Sequence, residues 1–243
     1  MSNKRRYLIT GASRGIGAAI ARKLLQDGCQ VTGLSRKAGE LESEQGYRHV
    51  SCDFADLEAL PTILKAQRKQ LERLDGLILN AGFGRFASLE AFSARQIREL
   101  IDVNLTSQIL VAREFLPLMK RYKAGDVVII GSEAALRGGQ RGAVYAATKF
   151  ALRGFAQSLR EECASAGVRV TLINPGMVQT DFFDGQNFRP AAAPGCHLLA
   201  EDVAGAVGFV LRSRPGACFD EINLSPQKKV IDFAKAGDGA LDK

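Results

Sequence analysis

Tyr145 and Lys149 stand four residues apart in a segment of helical period, and Ser132 lies thirteen residues before the tyrosine. A spacing of four puts the phenol and the ammonium on one helix face. Free tyrosine, with a pKa near 10, exchanges protons poorly at neutral pH. A neighbouring ammonium favours phenolate and lowers that pKa, so the pair could give a proton to, or take one from, an oxygen that changes charge. Ser132 closes the apolar run Val127–Ser132, and its hydroxyl could donate to the same oxygen as negative charge develops there. Each feature has a plain alternative. Tyr/Lys pairs at this spacing also arise by chance, and serine is a common turn residue at strand ends.

A second cluster is Thr10–Gly11–Ala12–Ser13–Arg14–Gly15–Ile16–Gly17, between a strand-like run and a helical pattern. Glycines let the backbone turn sharply and approach a ligand, and the helix N-terminus behind them offers free N–H groups with a partial positive charge. A diphosphate would fit there, although glycines also serve purely structural turns. The turn occupies the place of the first strand-to-helix turn of a Rossmann domain, with Gly-x-x-x-Gly-x-Gly spacing instead of Gly-x-Gly-x-x-Gly. The second strand ends Leu34–Ser35–Arg36, without the acidic residue that would bond an unphosphorylated adenosine ribose. Arg36, with Arg14 nearby, could pair instead with a 2′-phosphate, which predicts NADP(H) as cofactor; otherwise both are solvated surface arginines.

These residues need a scaffold. Apolar runs without alternation recur at Tyr7–Thr10, Val31–Ser35, Arg48–Cys52, Gly76–Ala81, Val127–Ser132, Val168–Asn174 and Glu221–Leu224, as expected of strands buried on both faces. Segments of helical period lie between them: Gly15–Asp27, Leu57–Leu74, Ala94–Tyr122, Tyr145–Ala166 and Glu201–Arg212. The alternation predicts an α/β fold, a doubly wound parallel sheet of about seven strands with helices on both faces, in one domain over residues 1–243. Asp181–Cys196 breaks the pattern, having three phenylalanines and no periodicity, and is expected to be a substrate lid.

Composition narrows the function classes. The 243 residues are 46% apolar and 24% charged, an ordinary globular balance. Lys and Arg number 33 against 26 Asp and Glu, a net charge of +7 that suits an anionic partner. Neither a helix-turn-helix nor an aromatic-basic platform is present to bind nucleic acid. No apolar stretch approaches the ~20 residues of a membrane span, and the basic start Met1–Arg6 runs straight into a strand-like segment. A cytoplasmic protein is expected. The five cysteines, at 29, 52, 163, 196 and 218, are scattered, with only His49 and His197 as further soft ligands, so no metal site is expected.

In the form TGASRGIG the glycine turn resembles that of the short-chain dehydrogenase/reductase family. The likeness extends through Asn80–Ala81–Gly82, Ser132, Tyr145-x-x-x-Lys149, and Pro175–Gly176 followed by Thr180, and covers Tyr7 to about Arg212. It implies a small-molecule carbonyl or secondary alcohol as substrate, with Tyr145 as general acid in reduction and base in oxidation. Lys149 would also bond the nicotinamide ribose, and Asn104 would hold a proton-relay water. As a lone polar residue in an apolar helix, Asn104 could equally cap a local kink.

The resemblance assigns NADP(H) binding to Gly11, Ser13, Arg14, Gly15, Ile16, Gly17, Arg36, Asn80, Ala81, Gly82, Tyr145, Lys149, Pro175, Gly176, Val178 and Thr180, with Asp53 and Phe54 at the adenine. It implies no metal, and a homodimer or homotetramer. Leu100, Ile101, Leu105, Ile109, Leu110 and Val111 are more apolar surface than one buried helix face requires. A non-catalytic NADPH-binding sensor is the alternative; it would leave the working spacing of Ser132, Tyr145 and Lys149 without a purpose.

Arg85, Arg137, Arg141 and Arg189 fall on expected loops at the catalytic edge. Convergence of two would favour an acidic or hydroxy-acid substrate, while a solvated rim would not. The chain ends in Glu221–Ile222–Asn223–Leu224–Ser225–Pro226 and a basic tail, where relatives acting on acyl-carrier substrates often have a Gly-Gly motif. That departure points away from an acyl-carrier substrate.

Overall fold

In a computed structural model, which describes residues 4–233, seven parallel strands form one sheet in the order β3-β2-β1-β4-β5-β6-β8. They are β1 (Arg6–Thr10), β2 (Gln30–Ser35), β3 (Tyr47–Ser51), β4 (Gly76–Leu79), β5 (Gly125–Ile130), β6 (Val168–Pro175) and β8 (Glu221–Leu224). The order reverses between β1 and β4, which pair directly at Tyr7 with Gly76, and ligands of open α/β sheets bind outside the strand ends at such a switch.

The unbroken apolar runs have a simple cause. Neighbouring residues of one strand serve different cores. Leu8, Leu77, Val127 and Ile129 pack with α2 (Leu60–Gln70), α4 (Ser107–Tyr122) and α5 (Ala143–Ala164). Ile9, Ile78, Val128 and Ile130 pack on the other face with α1 (Gly15–Gln26) and α6 (Ala200–Arg212). Both faces are covered, so alternation has no polar half. The cysteines are all free, and all but Cys218 are buried.

Two expectations need amendment. The single helix expected over Ala94–Tyr122 is α3 (Ala94–Ile101), a π turn at Asp102–Thr106, then α4. The extra residue of the π turn leaves the apolar period almost intact, so the sequence hides it. The Asp181–Cys196 segment is partly regular: Asp181–Phe183 form a 3-10 turn and β7 (Phe188–Pro190) pairs antiparallel with β9 (Ile231–Phe233). That pairing also orders the start of the basic tail, of which residues 234–243 lie outside the described part. Three-residue strands carry too few positions to show a period.

Candidate active site

Two glycines of the turn hold a backbone that L side chains rarely adopt, Gly11 at φ 69° and Gly15 at φ 54°. Gly17 is required for contact, since a Cβ there would sit 2.1 Å from the Gly11 carbonyl oxygen. The first turn of α1 therefore lies directly on the glycine turn. No side chain caps that helix, whose N-cap is Arg14, and no acidic residue occupies its first turn. Its free N–H groups and a cradle that any side chain would fill suit a dinucleotide diphosphate.

Asn80, Ala81 and Gly82, just beyond β4, tie this turn to the centre of the sheet. The Asn80 carboxamide donates to the carbonyls of Thr10 (3.0 Å) and Gly11 (3.2 Å). The Thr10 hydroxyl accepts from the N–H groups of Asn80 and Ala81, both at 2.9 Å, and donates to Gln108 at 2.9 Å. Thr10, though part of the glycine motif, was given no role of its own from sequence, and Gln108 was not singled out. A hydroxyl immediately before Gly11 was the available signal for the first; Gln108, inside a helix, gave none.

Next to α1, the loop after β2 folds onto the glycine turn. A Cβ on Gly39 would lie 2.1 Å from the Ser13 carbonyl oxygen. This loop carries Arg36, which is exposed, as is Arg14; Ser13 is half-buried, and Ile16 packs against the core beside α1. The Arg14 guanidinium meets the Asp181 carboxylate at 3.3 Å. Asp53 is exposed and accepts from the Ala55 N–H at 3.0 Å. Phe54 is only 6% exposed, its ring in the core, so little but its backbone faces outward.

Ser132 follows β5 and opens a 3-10 turn, its hydroxyl accepting from the Ala134 N–H at 3.1 Å. The same hydroxyl stands beside the Tyr145 phenol and favours its charged form. Lys149 lies one turn further along α5, its Nζ 5.7 Å from the centre of the Tyr145 ring and donating to the Ile130 carbonyl at 3.2 Å. The lowering of the tyrosine by Lys149, expected from the spacing, is not what dominates. Burial pushes the phenol up to about 12 despite the Ser132 hydroxyl, and the Glu133 charge pushes it further. Burial also brings the Lys149 ammonium down to about 8. The lysine points at a backbone carbonyl and the ring face, not at the phenol oxygen.

Asn104 sits inside the π turn, fully buried. Its carboxamide oxygen accepts from the Phe83 N–H and its nitrogen donates to the Phe83 carbonyl, both at 2.9 Å, with Thr148 at 3.4 Å. Gly82 bridges this residue to the lysine: a Cβ there would lie 3.1 Å from Asn104 Oδ1 and 3.9 Å from Lys149 Nζ. Beyond β6, Gly176 donates to the Leu224 carbonyl at 2.7 Å, and Pro175 and Val178 are buried. Thr180 lies across the glycine turn, its methyl 3.5 Å from where a Gly15 Cβ would stand.

Of the two alternatives for the loop arginines, a clamp or a solvated rim, the described residues favour the rim. Arg85 pairs with Glu99 at 3.3 Å and covers the Phe83 ring, while Arg137, Arg141 and Arg189 are exposed on the rim. No group of three or more His, Cys, Asp or Glu among the described residues could hold a metal ion, and no described helix is long and apolar enough to cross a membrane.

A parallel doubly wound sheet with a glycine turn at its first strand end defines a Rossmann-type dinucleotide-binding protein. The family model for short chain dehydrogenases matches residues 5–189, and the chain belongs to that family. It is 33% identical over 245 residues to the cattle (Bos taurus) dehydrogenase/reductase SDR family member 11, covering 92% of this chain and 96% of the relative. It is 30% identical over 214 residues to the Salmonella typhimurium 3-oxoacyl-[acyl-carrier-protein] reductase, covering 84% and 88%. Among solved structures, the alcohol dehydrogenase of the archaeon Thermococcus sibiricus, complexed with 5-hydroxy-NADP, superposes with a TM-score of 0.83 at 29% identity, covering 94% and 99%.

Proposed function

We propose that this short-chain dehydrogenase is an NADP(H)-dependent oxidoreductase that interconverts a small-molecule carbonyl and a secondary alcohol. The observation that carries this function is the placement of Ser132 beside the Tyr145 phenol, with Lys149 one turn away, at the sheet edge that also bears the glycine turn. NADPH supplies a hydride to the carbonyl carbon and leaves as NADP+. Tyr145 passes its phenolic proton to the oxygen and is reprotonated from solvent, so one ketone, one NADPH and one proton give one alcohol and one NADP+. Ser132 donates to that oxygen as its charge grows. A phenol held near 12 stays protonated at neutral pH, the form needed to reduce.

NADP(H) is supported by the arginine at the end of β2, by Arg14 in the glycine turn, and by the 5-hydroxy-NADP held by the Thermococcus relative. Gly11, Ser13, Gly15, Ile16 and Gly17 would line the diphosphate, Asn80–Gly82 and Pro175–Thr180 the nicotinamide end, and Asp53 with the Phe54 backbone the adenine. The Asp181–Cys196 segment would cover the substrate, within a single domain. A homodimer or homotetramer is supported by Ile101, Ile109 and Phe150, which are 38%, 36% and 44% exposed on α3, α4 and α5. A cytoplasmic setting fits five free thiols.

The test is NADPH consumption against a carbonyl panel with wild type and Tyr145→Phe. Turnover should fall at least a hundredfold in the variant, in line with the usual worth of a general acid, with NADPH binding retained. Undiminished turnover in the variant would remove Tyr145 from the reaction, and binding without turnover in wild type would favour a sensor.

A further inference from the structure

The Tyr145 ring belongs to an aromatic cluster drawn from separate segments. Phe86, beyond β4, lies 5.1 Å from it between centroids, and Phe182, in the turn after Thr180, meets it edge-on at 5.9 Å. Phe188 on β7 meets Phe86 at 5.0 Å and Phe183 at 5.6 Å. These spacings are those of favourable tilted and edge-to-face pairs. Each of the four phenylalanines is half-buried, and Phe86 and Phe182 pack against a small core cluster of Leu100, Val144 and Tyr145. Beside Phe86 lies an open, mostly polar hollow of about 330 Å³, lined by Ser88, Arg141 and Gln186 among others but not by Tyr145, Ser132 or Phe182.

This environment determines which substituent of a carbonyl can be desolvated next to Tyr145. A carboxylate directly on the carbonyl carbon would face rings, and an unpaired charge removed from water is strongly disfavoured. Arg85 is already paired with Glu99, and Arg141 alone of the four loop arginines lines the hollow, which does not reach Tyr145 or Ser132. A flat apolar group, in contrast, can enter between Phe86 and Phe182, now 6.5 Å apart, by replacing one edge contact with two.

We propose that the substrate carbonyl carries an aryl or similarly flat apolar group, seated between Phe86 and Phe182 with its oxygen at Tyr145 and Ser132. This assignment of substrate class rests on the carbonyl-reducing activity proposed above and uses the same balance of hydride and proton. Phe86 and Phe182 are then the residues that set specificity, and the half-buried state of both rings is what lets them part.

The experiment compares kcat/KM for 1-phenyl-1,2-propanedione, 2,3-butanedione and pyruvate with NADPH. The phenyl compound should exceed each of the others at least roughly tenfold, the discrimination a hydrophobic pocket achieves. Phe182→Ala should narrow the phenyl-to-methyl ratio to within about threefold, and Phe182→Leu should retain more of it. A wild-type ratio near one, or a preference for pyruvate, overturns the substrate class while leaving the activity standing. No NADPH oxidation with any of the three, in protein that binds NADPH, overturns the activity and this inference with it.

Discussion

Asn174 accepts the backbone N–H of Ser132 through its carboxamide oxygen at 3.2 Å. Its nitrogen donates to Glu221 at 2.8 Å and Asn223 at 2.9 Å, and Arg153 holds the other Glu221 oxygen at 2.9 Å. Fully buried, Asn174 thus joins Ser132 to β8 and to α5, the helix of Tyr145 and Lys149. Asn174→Ala leaves a buried N–H and two acceptors short of partners, which should lower unfolding free energy by about 1–3 kcal/mol. Urea unfolding checks this. Because Ser132 would lose its anchor, kcat should also fall while the Kd for NADPH stays near wild type.

Lys149 carries a stability cost that depends on pH. Burial brings its ammonium from the usual 10.5 down to about 8, so below pH 8 the folded state holds a buried charge that the unfolded chain solvates. At about 1.36 kcal/mol per pKa unit, this opposes folding by about 3 kcal/mol near neutrality. The unfolded state binds more protons between about pH 8 and 10.5, so the penalty is relieved as pH rises through that window. Lys149→Met should therefore melt at a higher temperature than wild type at pH 7, with a smaller advantage at pH 10, while losing turnover. An equal difference at both pH values would show that packing, not charge, is responsible.

The sheet was legible because strands buried on both faces write themselves as apolar runs, and Leu8 and Ile9 read alike although they face opposite cores. Ser132, Tyr145 and Lys149 were legible because their spacing is itself the chemistry. What the spacing could not convey was burial, and burial sets the Tyr145 and Lys149 pKa values. Asn174 gave no signal, since one polar residue at a strand end does not name partners 42 and 47 positions away. Nor did the loop arginines reveal that Glu99 would engage Arg85.

Arg14 meets Asp181, with both side chains more than half exposed. Exposed pairs of this kind contribute about 0.2–1 kcal/mol, so a cofactor 2′-phosphate would displace the carboxylate at small cost. Asp181→Asn should tighten NADPH binding by up to about fivefold. Arg36→Asp should weaken NADPH roughly tenfold to a hundredfold by removing a charge-assisted contact, with a much smaller change for NADH. Fluorescence titration of both nucleotides decides it, and parallel losses for the two would exclude recognition of the phosphate.

Asn104 shows how a kink in a helix is held by the loop it serves. The π turn swings its carboxamide against both backbone groups of Phe83, three residues before Phe86. Asn104→Asp keeps an acceptor for the Phe83 N–H but loses the donor to its carbonyl and sets two acceptors face to face, whereas Asn104→Leu satisfies neither group. Both should destabilise the fold, Leu by about 1–3 kcal/mol through the unpaired buried groups. If Asn104 only holds the loop, each variant should lose kcat in proportion to its loss of stability. A kcat falling a hundredfold or more in a variant destabilised by less than about 1 kcal/mol would place Asn104 in the proton path as well.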